Sequence, residues 1–167
     1  LHGVSFFISR TAEEGICRSI QRIWLQDLSP KKRRECFARL FPPPIGFWAT
    51  HCSWSSREMK RPAAPIGKNR ILSIIGNVFV PMALADARKR KDRAHEERVF
   101  AFYCKLPRES SNSVYRAMIC RFWKEDERPR LNFRKQQGLL QIYRDWCERN
   151  PSCHNCSIGL FLNDIVP

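Results

Sequence analysis

Cys147, Cys153 and Cys156 fall in the stretch Trp146-Cys147-Glu148-Arg149-Asn150-Pro151-Ser152-Cys153-His154-Asn155-Cys156, and their C-x5-C-x2-C spacing carries the most specific chemistry in the chain. Two cysteines separated by two residues can aim both sulfurs at one metal ion, and a third, upstream at the end of a helical pattern, closes over the same point. Asn150 and Pro151 supply the turn that brings it back. Three thiolates are one short of a tetrahedron, so a fourth ligand is expected from elsewhere in the fold, Cys120 or Cys104. The cofactor expected is zinc or a [4Fe-4S] cluster. The bland alternative is a set of reduced thiols packed under a C-terminal loop.

A second group of candidates is polar. Asn77 sits within an apolar helical run, and Glu109, Asn112 and Gln137 could satisfy it. A buried carboxamide without partners costs on the order of 1 to 3 kcal/mol, so these four residues are expected to form a buried network that caps helix ends. As a catalytic cluster they are weaker, because Glu109 alone is too few carboxylates for paired acid–base work or a two-metal site. His2, His51, His95 and His154 are scattered, and no Ser-His-Asp order, P-loop or dinucleotide fingerprint occurs. No catalytic residue is assigned.

The third group is basic. Thirty Lys and Arg face 16 Asp and Glu, a formal net charge of +14 that attracts polyanions, nucleic acid above all. Two dense clusters stand out: Lys31, Lys32, Arg33 and Arg34, and Arg88, Lys89, Arg90 and Lys91 with Arg93. Both are expected on the phosphate backbone of DNA or RNA. Isolated Lys and Arg elsewhere read as solvated helix faces. Aromatic residues do not alternate with basic ones in any ribonucleoprotein-like stretch, so base stacking on a sheet surface is not expected.

The elements that must position these groups are helical. Thr11 with Glu14 forms a capping box, and Ile16, Ile20, Ile23 and Trp24 recur at helical spacing, predicting a helix from about Ala12 to Leu28. Ser29-Pro30 opens the next, with Phe37, Leu40 and Phe41 inward, and Pro42-Pro43-Pro44 ends it. The Pro-rich stretch 45–65 is an extended connection that Phe47, Trp48 and Trp54 should pin to the core. A central helix, about Lys68 to Arg88, carries Ile71, Leu72, Ile75, Val78, Phe79, Met82 and Leu84, bent or broken at Pro81. Glu96 to Leu106 follows with Val99, Phe100 and Tyr103 inward, then Val114 to Trp123, a charged loop from Lys124 to Arg130, and a helix capped by Asn132 that runs through Leu139, Leu140, Tyr143 and Trp146 into Cys147.

The expected architecture is therefore all-α, an irregular helical domain of about six helices with a C-terminal cysteine knuckle. It divides as a helical hairpin over 1–44, the connection 45–65, a helical core 66–146 and a knuckle and tail 147–167. An apolar content of 43% with 11% aromatics supports one globular domain. The segment Val4 to Ile8 is too short for a signal peptide, and the longest apolar run, Ile71 to Ala85, is interrupted by Asn77 and Pro81. A soluble, cytoplasmic protein without a membrane segment is expected. The chain begins at Leu1 rather than Met, so a preceding domain is expected as well.

Two resemblances add to this reading. The cysteine spacing is similar to part of the cluster loop of the endonuclease III family, C-x6-C-x2-C-x5-C, with a first gap one residue shorter and Phe161 and Leu162 where a fourth cysteine would stand. The order Ile75-Gly76-Asn77-Val78-Phe79-Val80-Pro81, Glu96-Glu97, Leu106-Pro107-Arg108-Glu109-Ser110-Ser111-Asn112, Gln136-Gln137-Gly138-Leu139-Leu140 and the knuckle ending Ile158-Gly159 resembles the C-terminal part of the uncharacterised bacterial domain-of-unknown-function family 2851. That resemblance spans about Gly46 to Leu160. The Gly-Pro-Asp-Phe and Glu-His elements of the family's nuclease-like N-terminal part do not occur here, so no catalysis is carried over. The expected function is a nucleic-acid-binding accessory domain with a structural metal. A metal-stapled interaction scaffold is the alternative, and an enzyme site around Glu109 and Asn112 the third reading.

Overall fold

The computed structural model describes residues 15–42, 45–62, 66–149, 152 and 156–158. Among the described residues every regular element is a helix, so the protein is all-α. The sequence offers no boundary, but the chain groups into two compact units, Leu1–Lys105 and Leu106–Pro167.

In the first unit, α1 (Ile16–Leu25) buries Ile20, Ile23 and Trp24, the stripe its periodicity requires. The capping box at Thr11 and Glu14 lies outside the described residues. The helix ends three residues before Leu28, with Gln26 extended. A longer helix would pair the Gln26 carbonyl with Pro30, which has no N–H to give, and that carbonyl instead accepts a 2.6 Å hydrogen bond from the Arg33 guanidinium. α2 (Pro30–Ala38) then starts as predicted, with Pro30 at its first position and Ser29 Oγ accepting from the Lys32 N–H at 3.4 Å. Phe37 and Phe41 are buried. α3 (Phe47–Thr50) is a single turn that the sequence does not announce, entered through Gly46 at φ 68° and ψ −147°, a conformation open only to glycine.

The central helix runs without a break from Lys68 to Lys89 as α4 (Lys68–Ile74), a π turn (Ile75–Phe79) and α5 (Val80–Lys89). Pro81 neither breaks it nor ends it. Proline lacks an N–H and its ring collides with the carbonyl four residues back, so the turn before it widens, and the Val80 N–H donates to the Ile75 carbonyl five residues away. Ile71, Ile75, Phe79, Ala83 and Ala87 are buried at a strict four-residue spacing. That period exceeds 3.6, and the π turn absorbs part of the drift. Val78 and Met82, expected inward, are 44% exposed for the same reason. By length and composition alone Lys68–Lys89 is enough to cross a bilayer, which corrects the expectation drawn from Asn77 and Pro81. Its buried stripe packs within the first unit.

α5 closes in a Schellman motif: the Lys91 N–H donates to Arg88 O at 3.1 Å and the Asp92 N–H to Ala87 O at 2.9 Å. Lys91 occupies the left-handed position, φ 55°, where glycine is usual. Asp92 caps α6 (Arg93–Cys104) by accepting from the His95 N–H at 2.9 Å. His95, Val99 and Phe102 face inward, so the inward stripe is offset from Val99, Phe100 and Tyr103, and Phe100 is 49% exposed. The core is an aromatic cluster in which Trp24 lies 5.2 Å from Phe37 and 5.2 Å from Phe102, and Phe37 lies 5.3 Å from Phe79.

In the second unit, α7 (Ser113–Phe122) and α8 (Phe133–Ile142) are capped by Asn112 and Asn132, whose Oδ1 atoms accept from Tyr115 N–H at 2.7 Å and Lys135 N–H at 3.0 Å. α8 continues into a π turn, Tyr143–Cys147. Met118, Ile119, Leu131, Leu139 and Cys147 form the core between them. Within that π turn Cys147 is buried while Trp146 is 42% exposed.

Arg33→Ala should lower stability by about 2 to 3 kcal/mol, since it strands the Gln26 carbonyl and removes the guanidinium from the aromatic core. Lys32→Ala, one residue away on the exposed side, should stay within about 0.5 kcal/mol of the parent. Urea titration of both variants checks the contrast.

Candidate functional site

The cysteine knuckle is the first place where spacing meets geometry. Cys147 and Cys156 are buried, and Cys147 packs among Met118, Ile119, Leu131 and Leu139. Cys153 and His154 lie outside the described residues. Cys120 does not join them: it is exposed, and its sulfur accepts from the Arg128 guanidinium at 3.4 Å. Cys104 belongs to the other unit. Among the described residues no three His, Cys, Asp or Glu side chains converge on a point that could hold a metal ion.

The polar set divides in two. Asn77 is exposed on the outer side of the π turn, so it needs no buried partner, and Asn112 is spent on capping α7. Glu109 and Gln137 do meet, Gln137 Nε2 donating to Glu109 Oε2 at 3.3 Å. The residue that sequence reasoning misses is Gln136, which is 3% exposed. Its Oε1 accepts from the Glu109 N–H at 2.6 Å and its Nε2 donates to the Glu109 carbonyl at 3.3 Å. One carboxamide thus satisfies both backbone groups of a loop residue, as a neighbouring strand would. It is a staple for the segment before α7. A single carboxylate beside two carboxamides gives no acid–base pair.

The basic clusters are used unequally. Arg33 does not belong among the phosphate-facing residues: it is 6% exposed, with its guanidinium carbon 5.3 Å from the Trp24 ring centre and 6.0 Å from that of Phe102. Burial first, then Arg98, pushes its pKa down, with Asp27 and Cys36 opposing. Lys31 and Lys32 are exposed and Arg34 is half-buried. In the second cluster Arg88 pairs with Glu96 at 2.6 Å and Arg90 with Asp86. Lys89, Lys91 and Arg93 are exposed and form no ion pair among the described residues.

Two further features have no counterpart in the sequence patterns. One is a cavity of about 290 Å³ in the first unit, lined by Ile20, Trp24, Met82, Ala83 and His95, with Asp86 and Arg90 also on its wall. His95 is 3% exposed, and its pKa is lowered chiefly by burial, then by Arg98 and Arg90, against Asp92 and Asp86. The other is an aromatic cluster in the connection 45–62. Phe47 stacks on His51 with ring centres 4.0 Å apart and on Trp54 at 5.3 Å, and Trp48 meets Trp54 edge-on at 4.6 Å. These rings, expected to pin the connection to the core, pack on one another instead, and Trp54 is 78% exposed.

No family model, no curated protein and no solved structure matches this chain.

Gln136→Leu should destabilise the protein by about 1 to 3 kcal/mol by orphaning both backbone groups of Glu109, while Asn77→Leu on the exposed side should change stability by no more than about 0.5 kcal/mol; urea titration of the pair checks this. For His95 the folded state holds the neutral ring below its ordinary pKa of 6.5, so the unfolded state takes up the proton first. Its contribution to stability is therefore full above that value and is lost as pH falls through it. His95→Gln should flatten the loss of melting temperature between neutral and mildly acidic pH.

Proposed function

We propose that this chain is a helical nucleic-acid-binding module that grips the phosphate backbone of DNA or RNA with the exposed members of its two basic clusters, Lys31, Lys32, Arg34, Lys89, Lys91 and Arg93. The observation that carries the reading is where these charges sit. The first turn of α2 holds no acidic residue, and Lys31 and Lys32 stand at its positive end, where cations cost a few tenths of a kcal/mol each. Lys91 takes the left-handed position of a Schellman motif at a cost of about 1 kcal/mol relative to glycine. Local stability disfavours all three. An anionic partner offsets both terms, and residues kept for function are often poorly placed for stability.

The cysteines enter the proposal as a structural metal site closing the second unit through Cys147, Cys153 and Cys156. The burial of Cys147 and Cys156 supports it, since closed structural sites keep their sulfurs from water. The alternative, an interaction scaffold without nucleic-acid binding, is favoured by one fact: Arg88 and Arg90 are already paired with carboxylates.

Two experiments decide. Replacing Lys31, Lys32 and Arg34 together with Gln should lower affinity for all nucleic-acid sequences alike and flatten its salt dependence, by roughly 0.7 to 0.9 in slope for each phosphate no longer neutralised. Lys91→Gly should raise stability by about 1 kcal/mol while weakening binding. Unchanged affinity in both variants would favour the scaffold. For the metal, elemental analysis of protein purified without oxygen should find one equivalent of zinc, or of a bleachable brown iron–sulfur cluster. No metal, with Cys153→Ser as stable as the parent, would contradict the site.

A further inference from the structure

The cluster in the connection 45–62 has the form of a stacking platform. Phe47 lies within 11° of the His51 plane and within 24° of the Trp54 plane, so three rings form a short stack, with Trp54 at its open end. Trp48 braces Trp54 from the edge. The backbone that carries Trp54 is fixed by its own hydrogen bonds. Ser56 Oγ accepts from the Cys52 and Ser53 N–H groups at 3.0 and 3.1 Å and donates to the Ser53 carbonyl at 2.9 Å, and the Met59 N–H donates to Thr50 O at 2.8 Å. His51 is fixed as well. Its Nδ1 lies 3.0 Å from the Phe47 carbonyl, which can only accept, so Nδ1 carries the proton. A tryptophan 78% exposed at the end of an ordered stack is an apolar face held ready for another flat ring.

Charge selects the ring. Arg57, Lys60 and Arg61 follow within the same connection and are exposed, and the nearby Glu58 is engaged by the Thr50 hydroxyl at 3.2 Å. A π face with exposed cations a few residues further along the chain is a combination that suits single-stranded nucleic acid, where every base offers a face to stack on and every nucleotide a phosphate. A membrane surface would ask for a continuous apolar helix face, and α3 is four residues long.

We infer that Trp54, backed by Phe47 and His51, is a base-stacking site for single-stranded DNA or RNA, with Arg57, Lys60 and Arg61 on the adjoining phosphates. The inference rests on the nucleic-acid reading above and names its substrate form, an unpaired strand.

The test compares the intact protein with Trp54→Ala and Trp54→Phe on three probes: oligothymidylate, an abasic strand of equal length and charge, and vesicles of phosphatidylserine and phosphatidylcholine. Trp54→Ala should weaken oligothymidylate binding roughly tenfold, leave abasic binding and salt slope unchanged, and Trp54→Phe should recover most of the loss. Trp54 is largely exposed, so both variants should melt with the parent. If the parent binds the two strands equally well and Trp54→Ala changes neither, stacking is refuted while backbone binding stands. If the parent binds no strand at low salt, both readings fall. Tighter binding to the vesicles than to either strand, abolished in Trp54→Ala, would overturn the inference in favour of a lipid surface.

Discussion

The first unit depends on one buried cation. Arg33 places its guanidinium beside Trp24 and Phe102 and donates to the Gln26 carbonyl, joining the end of α1, α2 and the last turn of α6 through one side chain. No carboxylate pairs with it at salt-bridge distance among the described residues, and its Nε has no hydrogen-bond partner there. Such an arrangement is tolerable only because aromatic faces and a carbonyl share the charge. It also sets what is left outside. With Arg33 turned inward, Lys31 and Lys32 remain exposed at the start of α2, which gives the helix an uncompensated positive end.

The elements are legible in the sequence where one interaction decides them. Ser29-Pro30 and Asn132 announce helix starts because a cap is a local hydrogen bond, and the α1 stripe is a plain 3.6-residue period. Three of the departures share a cause. α-Helical counting puts Val78, Met82 and Trp146 inward, but π turns at Ile75–Phe79 and Tyr143–Cys147 change the count. A proline inside an apolar run is the available sign of the first, and its meaning depends on whether the helix widens or breaks. Gln136 hides behind Gln137 because adjacent glutamines look alike until the partner loop is in place.

The candidate sites are legible as chemistry and less so as geometry. Spacing brings Cys147, Cys153 and Cys156 into one motif, yet it cannot say that Cys120 faces solvent beside Arg128. A run of four basic residues reads as one patch, although a helix must turn one of the four inward. The aromatic cluster is invisible for the opposite reason: Phe47, Trp48 and Trp54 look like core anchors in a proline-rich connection, and only a one-residue glycine turn at Gly46 gathers them on one another.

The most direct test of a backbone-gripping module is the salt dependence of binding by the unaltered protein. The association constant for a labelled oligonucleotide, measured across a range of monovalent salt, should fall linearly on a double logarithmic plot with a slope of several units, each neutralised phosphate contributing roughly 0.7 to 0.9. A flat plot, or no binding at the lowest salt, would contradict the account.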